Sequence, residues 1–285
     1  MAVDTGNVNE EGNPEIDSSD PGAALFGNFI NYYSFNPPEN RLSLIPASLL
    51  QELGYSRAAD RAPLLLLDVG CNSGDLSIAL YRHLLGLEDG SSQPGAGGAL
   101  GGRKQLHLLG CDLDETLIQR AQEGNPFPET VTFLPLDITD RGAREEVLGS
   151  YLARCGRPAF DLCACLAVTM WVHLNHGDQG LLELLSSLAA LCHHLLLEAQ
   201  PWRCYRSAAR RLRRAGRTDF EHFKQLHVRG VPGIRGHLES RCGMKLVRSF
   251  GHTAWGRSLL LFRRCCPKEE EEPSSKKVKK RTLPA

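Results

Sequence analysis

The sequence predicts an α/β fold: a mostly parallel sheet, covered by helices on both faces and finished by an antiparallel hairpin. Three observations point there. Five times a short apolar run is followed by a segment with helical spacing of its apolar residues, the pattern of strand-helix units in a parallel sheet. The last two apolar runs, 244–250 and 258–263, are separated by only a Gly-His-Thr-Ala-Trp-Gly connection, too short for a crossover helix, so they pair as a hairpin. Both ends of the chain, and one stretch inside it, carry almost nothing to bury.

The units follow in order. Run 64–70 is closed by a glycine and precedes helical spacing over 76–87. Runs 106–111, 131–136, 160–168 and 194–197 precede helical segments 115–123, 144–152, 181–191 and 205–214. One folded domain over 24–265 accommodates all of them. Residues 1–22 are rich in Asp, Glu, Asn, Gly and Ser and are expected to be disordered. The charge-blocked tail 267–285 shares that expectation, and the Gly-rich stretch 88–102 reads as a flexible surface insertion.

Composition narrows the function. The 285 residues balance 33 Lys+Arg against 33 Asp+Glu, with a mean hydropathy of -0.25. No apolar run approaches the roughly 18 residues of a membrane-spanning helix, and the acidic N-terminus lacks the blocks of a secretory signal. The protein is therefore expected inside the cell. Its ten cysteines sit mostly in apolar runs, as reduced buried side chains do, and no Cys-x-x-Cys pair or zinc spacing occurs. No metal is expected.

The first strand ends in Asp68-Val69-Gly70-Cys71-Asn72-Ser73-Gly74. This is not the glycine spacing that brings a backbone against a dinucleotide pyrophosphate. It suits a nucleoside without phosphate packed against a tight turn, although a plain strand-to-helix turn has the same glycines. Asp112 ends the second strand, where a carboxylate can accept both ribose hydroxyls, and Asp137 ends the third, where it can meet an adenine amino group. Each acid could equally be a helix N-cap. Together the three resemble the strand-end acids of Rossmann-like S-adenosylmethionine-dependent methyltransferases. That resemblance implies a seven-stranded sheet ordered 3-2-1-4-5-7-6.

Further segments are more specific: Phe26-Gly27-Asn28-Phe29 with Tyr32, Tyr33 and Arg41; residues 166–178, reading Leu-Ala-Val-Thr-Met-Trp-Val-His-Leu-Asn-His-Gly-Asp; Glu198-Ala199-Gln200-Pro201-Trp202; and Trp255-Gly256-Arg257-Ser258. Over residues 26–264 they resemble the bicoid-interacting-type RNA methyltransferases, and among these the short branch that methylates RNA 5′-monophosphates. The resemblance implies S-adenosyl-L-methionine as cofactor, with contacts from Arg41, Asn72, Asp112, Asp137, Ile138 and Leu166, and with Asp68 and Gly70 shaping the loop. It also implies small structured RNAs, tRNA or microRNA precursors, as substrates, and a cytoplasmic location. Ala199 departs from the family's Glu-Pro-Gln-Pro-Trp, which is expected to loosen that turn.

A 5′-monophosphate has its second pKa near ~6 and is largely dianionic at pH 7. It needs alignment with the methyl group more than it needs a base. Asn28, Tyr32, Tyr33 and His173 are the candidate hydrogen-bonding groups. His173, His176 and Asp178 could suggest a metal, but no further ligand accompanies them; a polar helix-cap loop is the plainer reading of the two histidines, and a substrate-facing role is the one favoured. RNA contacts are expected from Arg203, Arg206, Arg210, Arg211, Arg213 and Arg214, part of a stretch of seven arginines in fifteen residues without one acid. Tyr205, Ala208, Ala209 and Leu212 would form the buried face of that helix. A solvated surface helix is the plainer reading. Trp202, Trp171 and Trp255 could stack on terminal bases or pack in the core. A monomer is expected, with no membrane partner. The rival functions are methylation of a small molecule or protein, and a catalytically silent RNA-binding module. The Lys276 to Arg281 cluster could be a nuclear import signal.

Overall fold

Seven strands, β1 (Leu64–Val69), β2 (Leu106–Asp112), β3 (Val131–Pro135), β4 (Phe160–Leu166), β5 (Cys192–Ala199), β6 (Met244–His252) and β7 (Ser258–Arg264), form one sheet in the computed structural model. Its order is β3-β2-β1-β4-β5-β7-β6. Neighbours from β1 to β5 run parallel; β7 is antiparallel to both β5 and β6. This is the order and the hairpin expected. The structure describes residues 23–55, 63–87 and 105–265. The expectations for 1–22, 88–102 and 267–285 lie outside the described residues.

The strand sequences explain their places. Every residue of β1 and β4 is buried, so they are apolar without alternation, as strands covered on both faces must be. Edge strand β6 is mostly exposed or half-buried, and its pairing slips at two places. Leu65, Leu67 and Leu109 belong to the core on one face of the sheet, and Leu66, Leu80 and Leu108 to that on the other.

Short helices α1 (Tyr32–Phe35), α2 (Glu39–Leu42) and α3 (Leu49–Glu52) precede the sheet, and α4 (Asp75–Leu85), α5 (Glu115–Glu123), α6 (Arg141–Arg154), α7 (Thr169–Leu191), α8 (Trp202–Arg214) and α9 (Gly230–Arg241) follow. The sequence reading assigned no helix before β1, and two of the later helices also differ from it. The helix expected over 181–191 begins at Thr169 and is kinked at Gly177, whose φ of 68° and ψ of -171° break the helical path; polar His, Asn and Asp around the kink disguise its period. Helix α9 was not expected, since three glycines and Pro232 give it poor intrinsic propensity. Pro232 lies in its first turn, where a missing N–H costs little, and buried Ile234 and Leu238 hold it to the core.

Candidate active site

A cavity opens at the carboxyl ends of β1, β2 and β4, the ligand side of an open α/β sheet. The loop after β1 shapes its floor. Gly70, Asn72 and Gly74 all have positive φ, at 74°, 51° and 81°. A Cβ on Gly70 would overlap the Val168 side chain, so the turn excludes every other residue there. Asn72 tolerates its conformation because its side chain is anchored: Oδ1 accepts the Ser73 N–H at 2.8 Å, and Nδ2 donates to the Phe29 carbonyl at 3.1 Å.

The three strand-end acids all line this cavity. Asp68 is buried and accepts the Ser77 hydroxyl at 2.5 Å; burial pushes its pKa up to about 6 against the opposing pull of Ser77 and Arg41. Asp112 accepts the backbone N–H groups of Asn72 and Asp114, at 2.9 and 3.1 Å, and burial raises its pKa as well. Since each carboxylate oxygen has about two lone pairs, Asp112 keeps capacity for two more donors. Asp137 is exposed and binds its own turn through Thr139. Neither is an N-cap. Those positions belong to Asp114 for α5 and Asp140 for α6, which removes the structural competitor for Asp112 and Asp137.

Residues 26–33 cross the cavity from the N-terminal side. Asn28 donates to Asp114 at 2.8 Å, Arg120 reaches the Ile30 carbonyl, and Gly27 lies so close to the Trp171 indole that a Cβ would overlap it. Asn28, Tyr32 and Tyr33 line the cavity as expected. Tyr33 donates to the Cys71 carbonyl at 3.2 Å, and burial, with Asp68 next, raises its pKa strongly, so it is a neutral phenol. Behind Tyr32 lies a buried charge cluster. Glu198 Oε2 accepts Arg41 Nε at 2.5 Å, and Glu198 Oε1 accepts Arg257 Nη1 at 3.2 Å.

The segment 198–202 ties these parts together. Beside the Glu198 pairs, Gln200 accepts from Thr169 and from the Met170 N–H, at 3.1 and 3.2 Å, and donates to the Ala167 carbonyl at 2.7 Å. It thereby fixes the turn into α7, where Ala167 has a φ of 63°. Ala199 lies in β5, paired with Ser258 and 2% exposed, and Pro201 follows it at the start of α8.

Several expected site residues sit elsewhere. His173 is fully buried with its Nδ1 at 3.1 Å from the Tyr205 hydroxyl and Nε2 at 2.6 Å from Asp178. Both nitrogens are committed and the ring does not line the cavity, so it cannot face a substrate. It instead helps Asp178 hold the backbone of His227 and Val228. Arg41 lies behind Tyr32 rather than on the cavity wall, with its Nη1 buried and lacking a partner among the described residues. Trp202 is stacked on Phe223 at 5.3 Å and packed against Tyr205 and the Arg229 guanidinium, so its ring is occupied. Trp171 lines the cavity. Gly70, Asn72, Ile138 and Leu166 line it as expected.

Helix α8 buries Tyr205, Ala208, Ala209 and Leu212, the face anticipated, and exposes Arg203, Arg206, Arg210, Arg213 and Arg214. Arg211 is half-buried over the Phe29 ring at 5.8 Å. None of these arginines lines the cavity. Cavity residues not anticipated include Leu113 and Thr139, each one or two places past a strand-end acid, and Asn175 on α7; His176, weighed with His173 as a substrate-facing group, lines the cavity although His173 does not. The spacing of Asn175 four residues past Trp171 was the available signal for it, once 169–176 is known to be helical.

Comparison with known proteins agrees with this geometry. The family model for bicoid-interacting protein 3 (Bin3) matches residues 160–264. A "Pre-miRNA 5′-monophosphate methyltransferase" of Danio rerio is 56% identical over 266 residues, 93% of this chain and all of the relative. An "RNA 5′-monophosphate methyltransferase" of Homo sapiens is 50% identical, over 85% of this chain and 82% of its own length. The "U6 snRNA methylphosphate capping enzyme Amus" of Drosophila melanogaster is 34% identical over only 41% of this chain and 33% of its own. The chain belongs to the Bin3 family of methyltransferases, alongside its RNA 5′-monophosphate methyltransferase relatives.

Proposed function

We propose that this enzyme transfers a methyl group from S-adenosyl-L-methionine to an oxygen of an RNA 5′-monophosphate, on small structured RNAs such as microRNA precursors or tRNA. The observation that carries this reading is a strand-end cavity in which acids suited to a nucleoside meet neutral phenol and amide donors suited to a phosphate. The residues fit the cofactor. Asp112 retains acceptor sites suited to ribose hydroxyls, Asp137 and Ile138 on the cavity wall suit an adenine edge, Leu166 and Gly70 complete the wall, and Arg41, behind Tyr32, keeps an unpartnered Nη1 suited to an anionic group. When bound, the cofactor supplies an electrophilic methyl on a sulfonium.

The chain's own work is alignment. A phosphate oxygen forms the new O–C bond as the C–S bond breaks and its electron pair returns to sulfur. The nucleophile is already anionic near neutrality, so no side chain has to remove a proton. Asn28 and Tyr32 each keep a proton to orient the phosphate, Tyr33, whose proton goes to the Cys71 carbonyl, shapes the wall beside them, and residues 26–33 exclude water. The exposed arginines of α8 hold the RNA backbone beyond the cavity. The enzyme acts in the cytoplasm as a monomer, and no described helix is long and apolar enough to cross a membrane.

The test is incubation with radiolabelled S-adenosylmethionine and 5′-monophosphorylated RNA, followed by phosphatase. Label that stays on the RNA, with an end that resists the phosphatase, is the expected result. Label appearing equally on 5′-hydroxyl RNA would overturn the reading.

A further inference from the structure

The Glu198 cluster has one acid for two guanidiniums. Arg41 and Arg257 both bind it, with side chains 0% and 14% exposed, so the hydrogen-bonded cluster holds one more positive than negative charge in a largely water-excluded place, offset only in part by Asp68, which feels Arg41 without bonding it. Such a charge is strongly disfavoured unless an anion completes it. Two buried donor atoms of the cluster, Arg41 Nη1 and Arg257 Nε, lack a partner among the described residues. Tyr32 makes the same point independently. A phenol has two acceptor sites and one proton. Both acceptor sites are used, by Arg41 Nη2 at 2.7 Å and Arg257 Nη1 at 3.3 Å, while the proton has no acceptor among the described residues. Tyr32 lines the cavity, so the arginines leave its hydroxyl with only a proton to offer there.

The two guanidiniums are not equivalent. Arg41 is wholly enclosed. Arg257 is the outer one; both guanidiniums lie over the Trp255 ring, Arg41 at 5.1 Å and Arg257 at 5.5 Å, and the Trp255 backbone carbonyl takes a hydrogen bond from Arg203 of α8. Arg257 therefore joins the cavity residue Tyr32 on one side to the basic helix on the other. An RNA lying along α8 with its 5′ end at the cavity must pass this point.

We infer that Arg257, held by Glu198 and acting with the Tyr32 hydroxyl, is a substrate-binding residue that receives the 5′-phosphate of the RNA and makes the enzyme discriminate against a 5′-hydroxyl end. The inference rests on the RNA 5′-monophosphate reading. Arg257 supplies the charge, and Glu198 offsets part of it, so the phosphate is held without losing its nucleophilicity. Arg41, one layer deeper, is left for the cofactor's anionic end.

The experiment compares binding of one RNA sequence with a 5′-phosphate or a 5′-hydroxyl end, by fluorescence anisotropy at fixed salt with saturating S-adenosylhomocysteine, which prevents turnover. The parent protein prefers the phosphorylated end. Arg257→Gln and Tyr32→Phe should each reduce that preference roughly tenfold, the scale of a hydrogen bond to a charged group, while leaving affinity for the hydroxyl end and for S-adenosylhomocysteine within about twofold. Arg257→Lys should restore part of the preference. If Arg257→Gln keeps the parent's preference, or loses S-adenosylhomocysteine affinity in parallel, the assignment to phosphate is wrong. A parent protein without any preference would instead defeat the substrate reading beneath it.

Discussion

Asp68 offers a direct measure of what the site costs the fold. Burial holds its carboxyl at about 6, against a usual value of 3.8. A carboxyl raised in this way binds more protons in the folded than in the unfolded chain. Its favourable contribution is therefore complete below pH ~4 and is lost as pH rises through ~6. The whole loss is about 3 kcal/mol, of which roughly half falls between pH 5 and 7.5. Asp68→Asn keeps the shape and can still accept the Ser77 hydroxyl, but it does not titrate. The variant's stability advantage should therefore grow by roughly 1–2 kcal/mol between those two pH values, a few °C in Tm for a domain of this size. Urea unfolding of both proteins without cofactor, at pH 5, 6 and 7.5, measures it. Calorimetry on the same samples should show weaker S-adenosylmethionine binding, the functional loss that accompanies relief of a strained site. A stability difference that does not change with pH would refute the reasoning, because only the titration of Asp68 separates the two proteins.

Gly70→Ala should abolish measurable cofactor binding by calorimetry, since the new methyl overlaps Val168 at a φ of 74°; ordinary affinity in a folded variant removes the loop from the site. Replacing Arg210, Arg211, Arg213 and Arg214 with Gln should flatten the slope of log affinity for RNA against log salt by about 1–3 units and spare cofactor binding. If the parent slope persists, α8 is a solvated face. Glu198→Gln leaves Arg41 and Arg257 without a carboxylate, and should lower stability by about 3 kcal/mol or more in a chemical melt; a change below about 1 kcal/mol would mean the cluster is solvated and not buried.

Much of the fold could be read from the chain because it depends on local pattern. Uninterrupted apolar runs fix the buried strands, and the six-residue connection after Phe250 permits only a hairpin. The acids at 68, 112 and 137 were legible for the same reason: Asp68 is next to last in β1, Asp112 ends β2, and Asp137 lies two residues past β3. What escaped depends on distance or on packing. Helix α9 has the propensity of a loop and is helical because Ile234 and Leu238 are buried. His173 has the chemistry of a catalytic group, and nothing local reveals that Tyr205, 32 residues away, and Asp178 enclose it. Arg41 was singled out by its sequence context, but that context does not show its partner Glu198, 157 residues on.

The segment Glu198-Ala199-Gln200-Pro201-Trp202 shows why such a site must be dispersed. Parallel β5 delivers its carboxyl end between the cavity and the hairpin, so consecutive residues there can hold parts that are remote in sequence. Glu198 holds α2 through Arg41 and the hairpin through Arg257; Gln200 holds the turn into α7; Pro201, with its φ of -72° already suited to a helix start, launches the basic helix α8. The residues that bind ligand are then placed by a strand end that need not touch it. Substitutions at Glu198 and at Gln200 should accordingly differ in kind: loss of Glu198 frees two charges and disturbs binding of anions, whereas loss of Gln200 releases the strained turn at Ala167 and disturbs the wall formed by Leu166 and Val168. One strand end therefore couples the electrostatics of the site to its shape.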